Sequence, residues 1–345
     1  MEASSRSNSL FAHNLVRKPL HTFRDHALCA ERRASRETTK GEAAGKPLYR
    51  ALLKRITNKP VLPAALPFVF AILWASSYAA AKIGLADITP YAFVALRLAI
   101  AAAAAVVMVL ALRRSWLPIA RRWPHLLVGG ALAHGLALAT AHKALVSVAA
   151  TPTALVYAFH PILTAALGVL LLGETFRWWQ WVGFALGLAG VVLGVPHDAD
   201  FGVLTLLGLS LFGLSGGTLY LKRFAADVPP FEATAGQLIG GALLAIALAA
   251  LFETPHAQLT PGLFGAMAWN VLFTSIGGMA IYNLMMDRYG AAKAASGFFI
   301  VPGASALIAW ALIDEHLKPL ALIGLVAATI GVLLVWWKPK PVPQK

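Results

Sequence analysis

Residues 161–190, PILTAALGVLLLGETFRWWQWVGFALGLAG, return as residues 302–331, PGASALIAWALIDEHLKPLALIGLVAATIG, at a constant offset of 141. Pro161, Glu174, Gly183 and Gly190 are answered by Pro302, Glu315, Gly324 and Gly331, and Ala150, Ala165 and Leu171 by Ala291, Ala306 and Leu312. The chain is therefore a tandem duplication. Both copies lie in hydrophobic sequence long enough to cross a bilayer, so the duplicated unit reads as a membrane bundle. A two-fold bundle of this kind is the usual build of a transporter.

Composition agrees. Apolar residues make up 59% of the 345 positions and charged residues 13%, a balance for which lipid, not water, is the natural solvent. The formal charge of +14 would suit nucleic acid only if it were spread over a folded surface. Instead residues 1–60 hold 13 Lys or Arg against 5 Asp or Glu, and the basic residues of the rest sit mainly between apolar stretches. Anionic headgroups of the bilayer are the nearer partner, and no nucleic acid is expected. The single cysteine, Cys29, permits no intrachain disulfide.

From Pro60 onward, apolar stretches of roughly 18 to 24 residues, the length that spans hydrocarbon, alternate with short breaks. Ten are expected, centred near Ala71, Ala101, Leu132, Pro161, Leu186, Leu211, Leu243, Thr274, Pro302 and Ala327. Five spans per copy is an odd number, so the second copy enters the membrane from the opposite side. The fold class expected is an all-α membrane protein with ten transmembrane helices in two inverted five-helix repeats, 61–196 and 200–338. They are flanked by a basic cytoplasmic tail, 1–60, and a short C-terminal tail, 339–345.

Loop charge orients the bundle. With the N-terminus inside, cytoplasmic segments collect Arg113, Arg114, Arg121, Arg122, Arg177, Lys222, Arg223, Arg288, Lys293, Lys338, Lys340 and Lys345. The outer loops collect Lys82, Lys143 and Lys318. Both termini are thus expected in the cytoplasm. The tail lacks the apolar core of a signal peptide. It reads as a disordered extension or a start codon placed too early, with a headgroup-binding cluster at Arg50, Lys54, Arg55 and Lys59 as the alternative.

Candidate binding residues follow from polar groups inside apolar spans. Pro161 and Pro302 each remove a backbone hydrogen bond in mid-span, loosening the carbonyls of Tyr157 and Phe298. Helix breaks at matched positions of two repeats point to a midplane site, although a packing kink would leave the same mark. Thr153, Tyr157, His160 and Thr164 fall along one helical stripe. Their counterparts Ala294, Phe298, Val301 and Ser305 are mostly apolar, so an amphipathic small molecule is expected, its polar end against the first repeat. Asn270, Thr274, Gly278 and Tyr282 form a second stripe, and Trp74, Ser77 and Tyr78 a third candidate wall. Packing and helix-to-helix hydrogen bonding would explain each group equally well.

Arg97 is the basic residue deepest within a span; it would snorkel outward, pair with carbonyls, or hold an anionic group. His134 and His160 are embedded groups able to titrate near neutral pH. Every Asp and Glu after residue 60 falls at a span end or in a loop, which disfavours a proton relay through an embedded carboxylate. Glu174 and Glu315 read as capping residues paired with Arg177 or Lys318. No metal or cofactor motif is present in the spans, and neither HExxH nor a nucleophile–base set marks an enzyme.

Trp74, Ser76, Ser77 and Tyr78 followed by Lys82, the Arg97 of the second span, and the twice-used run of Pro, acidic turn and Gly-spaced closing helix together resemble the EamA-type ten-helix carriers of the drug/metabolite transporter superfamily. The resemblance covers residues 61–338. It implies a permease of the bacterial inner membrane, commonly an exporter of amino acids, metabolites or drugs, with a central cavity between the repeats. A lipid scramblase or a non-transporting scaffold remains a competing class, and pairing of two copies into a homodimer is left open. The chain departs from the pattern in Asp314, where the first copy has Gly173, in His160 before the proline, and in the basic tail.

Overall fold

The computed structural model describes residues 61–172, 177–194, 200–278, 281, 282, 285, 298, 300–316 and 319–336. The basic segment 1–60, Glu174, Arg288, Lys293, Ala294, Lys318 and the tail 339–345 lie outside the described residues. Helices and the turns between them account for the described chain, apart from one bridge pairing Ile88 with Ala257. In order they are α1 (Val61–Gly84), α2 (Pro90–Ala111), α3 (Leu117–Leu145), α4 in two pieces (Ala150–Ala158 and His160–Leu172) and α5 (Trp178–Gly194). Then come α6 (Phe201–Phe224), α7 (Pro230–Phe252), α8 (Pro261–Ala268, continued by Trp269–Gly278), α9 (Val301–Ile313) and α10 (Pro319–Trp336).

Sequence sets these starts. Pro90, Pro230 and Pro261 stand in the first turns of α2, α7 and α8, where the missing N–H costs nothing and φ is already helical. Asp200 accepts from Gly202 N at 2.8 Å ahead of α6, and Thr260 from Leu263 N at 3.1 Å ahead of α8. Asp314 closes α9 with φ at 52°, a left-handed cap that Asp tolerates and for which the first copy carries a glycine. The departure from the repeat is thus accommodated by a turn.

α1, α2, α3, α4, α6 and α7 are long and apolar enough to cross a membrane; α5, α9 and α10 are shorter apolar helices. Large apolar side chains lie on the outside of the bundle as well as in its core, where Phe70, Phe93 and Leu98 are buried. Alanines such as Ala71, Ala75, Ala101, Ala154 and Ala235 fill the interior, while Leu170, Trp178 and Phe201 are 75%, 74% and 81% exposed. A bundle solvated by lipid has no need to hide its large apolar side chains, and small ones let its helices approach closely.

The duplication is visible as packing. On α5 and α10, a Cβ added to Gly190 would stand 2.5 Å from Ala328 N and 2.6 Å from Gly324 O. One added to Gly331 would stand 2.5 Å from Gly183 O and Gly187 N. Gly183 and Gly190 are the sequence counterparts of Gly324 and Gly331, so each helix meets the other's equivalent residues in reverse order. α5 and α10 are antiparallel about a two-fold axis, and only glycine lets their backbones come this close. α2 and α7 repeat the arrangement: Glu253 at the end of α7 accepts from Tyr91 N (3.0 Å) and Ala92 N (3.2 Å), and Arg114 beyond α2 pairs with Glu232 at 3.7 Å.

The expected pairing of Glu315 with Lys318 falls outside the described residues, and Glu315 reaches across the repeats. It accepts from Ala150 N (2.9 Å) and Thr151 N (3.2 Å) at the start of α4, and pairs with Lys82 at 3.5 Å. A second-repeat carboxylate thereby caps a first-repeat helix and satisfies two of its free N–H groups.

Candidate functional site

A cavity of about 70 Å³ opens between the repeats. Trp74, Ser77 and Tyr78 of α1 and Arg97 and Leu98 of α2 form one side. Ala133, His134, Leu138, Ala141, His142 and Leu145 of α3 and Thr153 and Tyr157 of α4 form another. The second repeat closes it with Leu214 of α6, Leu238 of α7, and Thr274 and Ser275 of α8. Eight residues singled out from sequence therefore meet here: Trp74, Ser77, Tyr78, Arg97, His134, Thr153, Tyr157 and Thr274.

Two helices reach the cavity through π-helical turns, Ala131–Leu136 in α3 and Trp269–Gly278 in α8. They occupy equivalent helices of the two copies. Such turns widen the helix and change which residues share a face. Where the α3 ladder returns to α-helix, the carbonyl of Ala137 is met from outside: Tyr157 Oη lies at 3.0 Å and Ser210 Oγ at 2.8 Å, with 2.7 Å between the two hydroxyls. Tyr157 is thus held by the second repeat, and its ring packs edge-on to Tyr78 at 6.0 Å. His134 Nε2 donates to Gln237 Oε1 at 3.2 Å, a further bond across the repeats.

Arg97 does not snorkel. It is 5% exposed, and its Nε donates to Ser275 Oγ at 3.2 Å, from α2 to α8. Among the described residues no carboxylate pairs with it or lines the cavity. His142, also 5% exposed, stacks on Phe93 with centroids 5.6 Å apart and 27° between planes. Its Nδ1 donates to Leu138 O at 2.7 Å, while Nε2 meets no partner among the described residues.

Five candidates fall outside the cavity. His160 and Thr164 turn away because α4 breaks at Phe159, just before Pro161, whose N–H is absent; Phe159 N instead reaches Val156 O at 3.1 Å. That break separates the stripe: Thr153 and Tyr157 face the cavity, whereas His160 Nδ1 bonds Ser215 Oγ at 3.0 Å and Thr164 Oγ1 at 3.2 Å. Asn270 is fully buried and donates to Ala266 O at 3.0 Å within its own helix. Thr274, four residues on, lines the cavity, and its hydroxyl donates to Leu73 O on α1 at 3.2 Å. Tyr282 and Phe298 form an aromatic layer with Phe70 behind Trp74, at centroid distances of 4.9 to 5.8 Å. Pro302 stands in the first turn of α9, as Pro161 does in the second piece of α4, and residues 286–297 before it lie outside the described residues.

His142 and Ser275 were not among the sequence candidates. His142 sits about two helical turns beyond His134 on α3, and Ser275 follows Thr274 within the π-helical stretch of α8. Among the described residues no group of three His, Cys, Asp or Glu gathers to hold a metal.

The model of the EamA-like transporter family matches the chain twice, over residues 62–195 and 200–337. The chain belongs to this family. EamA membership makes it a multi-pass membrane transporter by kind, and not an enzyme. The YedA inner membrane transporter of Escherichia coli (strain K12) is 27% identical over 280 residues, 78% of this chain and 88% of that protein. A probable terminal-alkyne amino-acid exporter of Streptantibioticus cattleyicolor is 25% identical over 293 residues, 76% of this chain and 90% of that one. The YyaM transporter of Bacillus subtilis (strain 168) is 26% identical over 196 residues, which span only 62% of YyaM. In fold the chain also resembles a crystal structure with TM-score 0.58 at 19% identity, covering 79% of this chain and 96% of that one.

Proposed function

We propose that this EamA protein is a secondary carrier that binds a small amphipathic metabolite in the cavity between its repeats and exposes it alternately to the two sides of the membrane. α5, α8, α9 and α10 complete ten spans, both termini face the cytoplasm as loop charge requires, and the membrane is a bacterial inner membrane, the location in YedA's name. Amino acids and other solutes with one polar end are the classes in view; the S. cattleyicolor relative is named for an amino acid.

The observation that carries the reading is that the cavity wall is divided between the copies. α1 to α4 supply one part and α6 to α8 the other, with Arg97–Ser275 and Tyr157–Ser210 as cross-links. Rocking one repeat on the other must open such a wall, whereas a cavity inside one repeat would be unaffected. The test is counterflow: proteoliposomes preloaded with a candidate solute should accumulate its labelled form transiently and saturably. Movement of labelled lipid between leaflets without solute counterflow would assign the bundle to a scramblase.

A further inference from the structure

Several polar side chains of the cavity wall have already spent their donors. Ser77, Thr153 and Thr274 give their hydroxyl hydrogens to main-chain carbonyls at 2.6, 3.1 and 3.2 Å, and Tyr157 gives its own to Ala137 O at 3.0 Å. Arg97 has not. Its guanidinium carries five N–H donors, of which the one on Nε goes to Ser275 Oγ at 3.2 Å. Among the described residues neither Nη1 nor Nη2 makes a hydrogen bond, and no carboxylate pairs with them. Nor is either of them an enclosed atom left without a partner, as His142 Nε2 is. Arg97 is 5% exposed and lines the cavity, so the open space beside these two nitrogens is the cavity itself. With Nε engaged by Ser275, the fork that remains is the Nη1–Nη2 pair, two N–H groups that match the two oxygens of one carboxylate.

We infer that the cavity takes a short-chain monocarboxylate, its oxygens on Nη1 and Nη2 of Arg97 and its hydrocarbon tail among Leu98, Leu138, Leu145, Leu214 and Leu238. This rests on the carrier reading for its setting and names the substrate class of the same site. A buried guanidinium without a counter-charge is costly, and one anion relieves that cost. The cavity of about 70 Å³ has room for roughly five water-sized groups, where one water needs ~10–15 Å³, so the tail is a few carbons long. An amino acid would bring its ammonium in beside Arg97 as a second cation, and the described lining holds no carboxylate to balance it. The site therefore prefers a simple carboxylic acid to the amino acid of the same skeleton.

Four probes separate these contributions in the purified, detergent-solubilised full chain, by the concentration needed for thermal stabilisation at neutral pH in a chloride-free buffer. Isovalerate is expected to bind best. Isovaleramide, of the same shape without the charge, should be at least roughly 10-fold weaker. L-Valine, which is isovalerate with an added ammonium, should also be at least roughly 10-fold weaker. Chloride, which cannot span the fork and leaves the leucines unfilled, should be roughly 10-fold weaker or worse. Arg97→Gln should make isovalerate and isovaleramide equal, whereas Arg97→Lys, a point charge without the fork, should keep acid ahead of amide by a smaller ratio. The four-probe comparison needs no substitution, so it stands even if a variant fails to fold. Isovaleramide, L-valine or chloride binding as well as isovalerate, stabilisation by none of the four, or an unchanged preference in Arg97→Gln overturns the inference. The ranked binding without counterflow of isovalerate would leave the ligand assignment standing and remove the carrier reading.

Discussion

At the scale of residues, the side-chain hydrogen bonds that join one helix to another run mostly across the repeats among the described residues. Tyr157 shows why. Its hydroxyl and that of Ser210 both reach the Ala137 carbonyl at the end of the α3 π turns, so either can serve that carbonyl if the other is lost. Tyr157→Phe and Ser210→Ala should each cost about 1 kcal/mol, the usual net value of one hydrogen bond. The double variant should cost more than their sum, by about 0.5–3 kcal/mol, because the carbonyl then loses both side-chain partners. Unfolding in mixed micelles measures the cycle, and simple additivity would show that the helix ladder alone satisfies Ala137. Which residues face the cavity was legible where α1 and α2 run as regular helices, and Trp74, Ser77, Tyr78 and Arg97 follow a 3.6-residue period. It failed at His160 and Thr164 because the break at Phe159 changes the period, and composition does not announce it.

At the scale of elements, the glycines of the closing helices fix how the two copies meet. Gly190 lies against the backbone of α10, so Gly190→Ala forces a Cβ toward Ala328 N and should destabilise by about 1–3 kcal/mol, the usual cost of overpacking. Gly208 of α6 has nothing within 4 Å of an added Cβ, and Gly208→Ala should be neutral or stabilising by up to about 1 kcal/mol through helix propensity. Thermal unfolding of both variants in one detergent checks the contrast; equal effects would mean that the α5–α10 crossing is looser than its glycines imply. The recurrence of Gly183 and Gly190 at Gly324 and Gly331 was legible in sequence, but that α5 and α10 cross on these glycines was not. That Glu315 would cap α4 was not legible either, since a carboxylate in a turn carries no mark of which repeat it serves.

At the scale of the molecule, everything turns on two halves lying in opposite directions around a shared cavity. Constant-offset repetition made the duplication readable, and the reversed pairing of Gly190 with Gly324 and Gly183 with Gly331 gives it geometry. The cavity could not be read whole, because its lining comes from seven helices whose mutual rotation is set by packing. Antiparallel α5 and α10 require that the residues preceding them, Arg177 and His316, face opposite sides of the membrane. The most direct measurement replaces Cys29 by serine, introduces single cysteines at Arg177 and His316, and labels right-side-out vesicles with a membrane-impermeant maleimide. The cysteine at 316 should react at once and that at 177 only after permeabilisation; reaction of both from the same side would contradict the inverted arrangement.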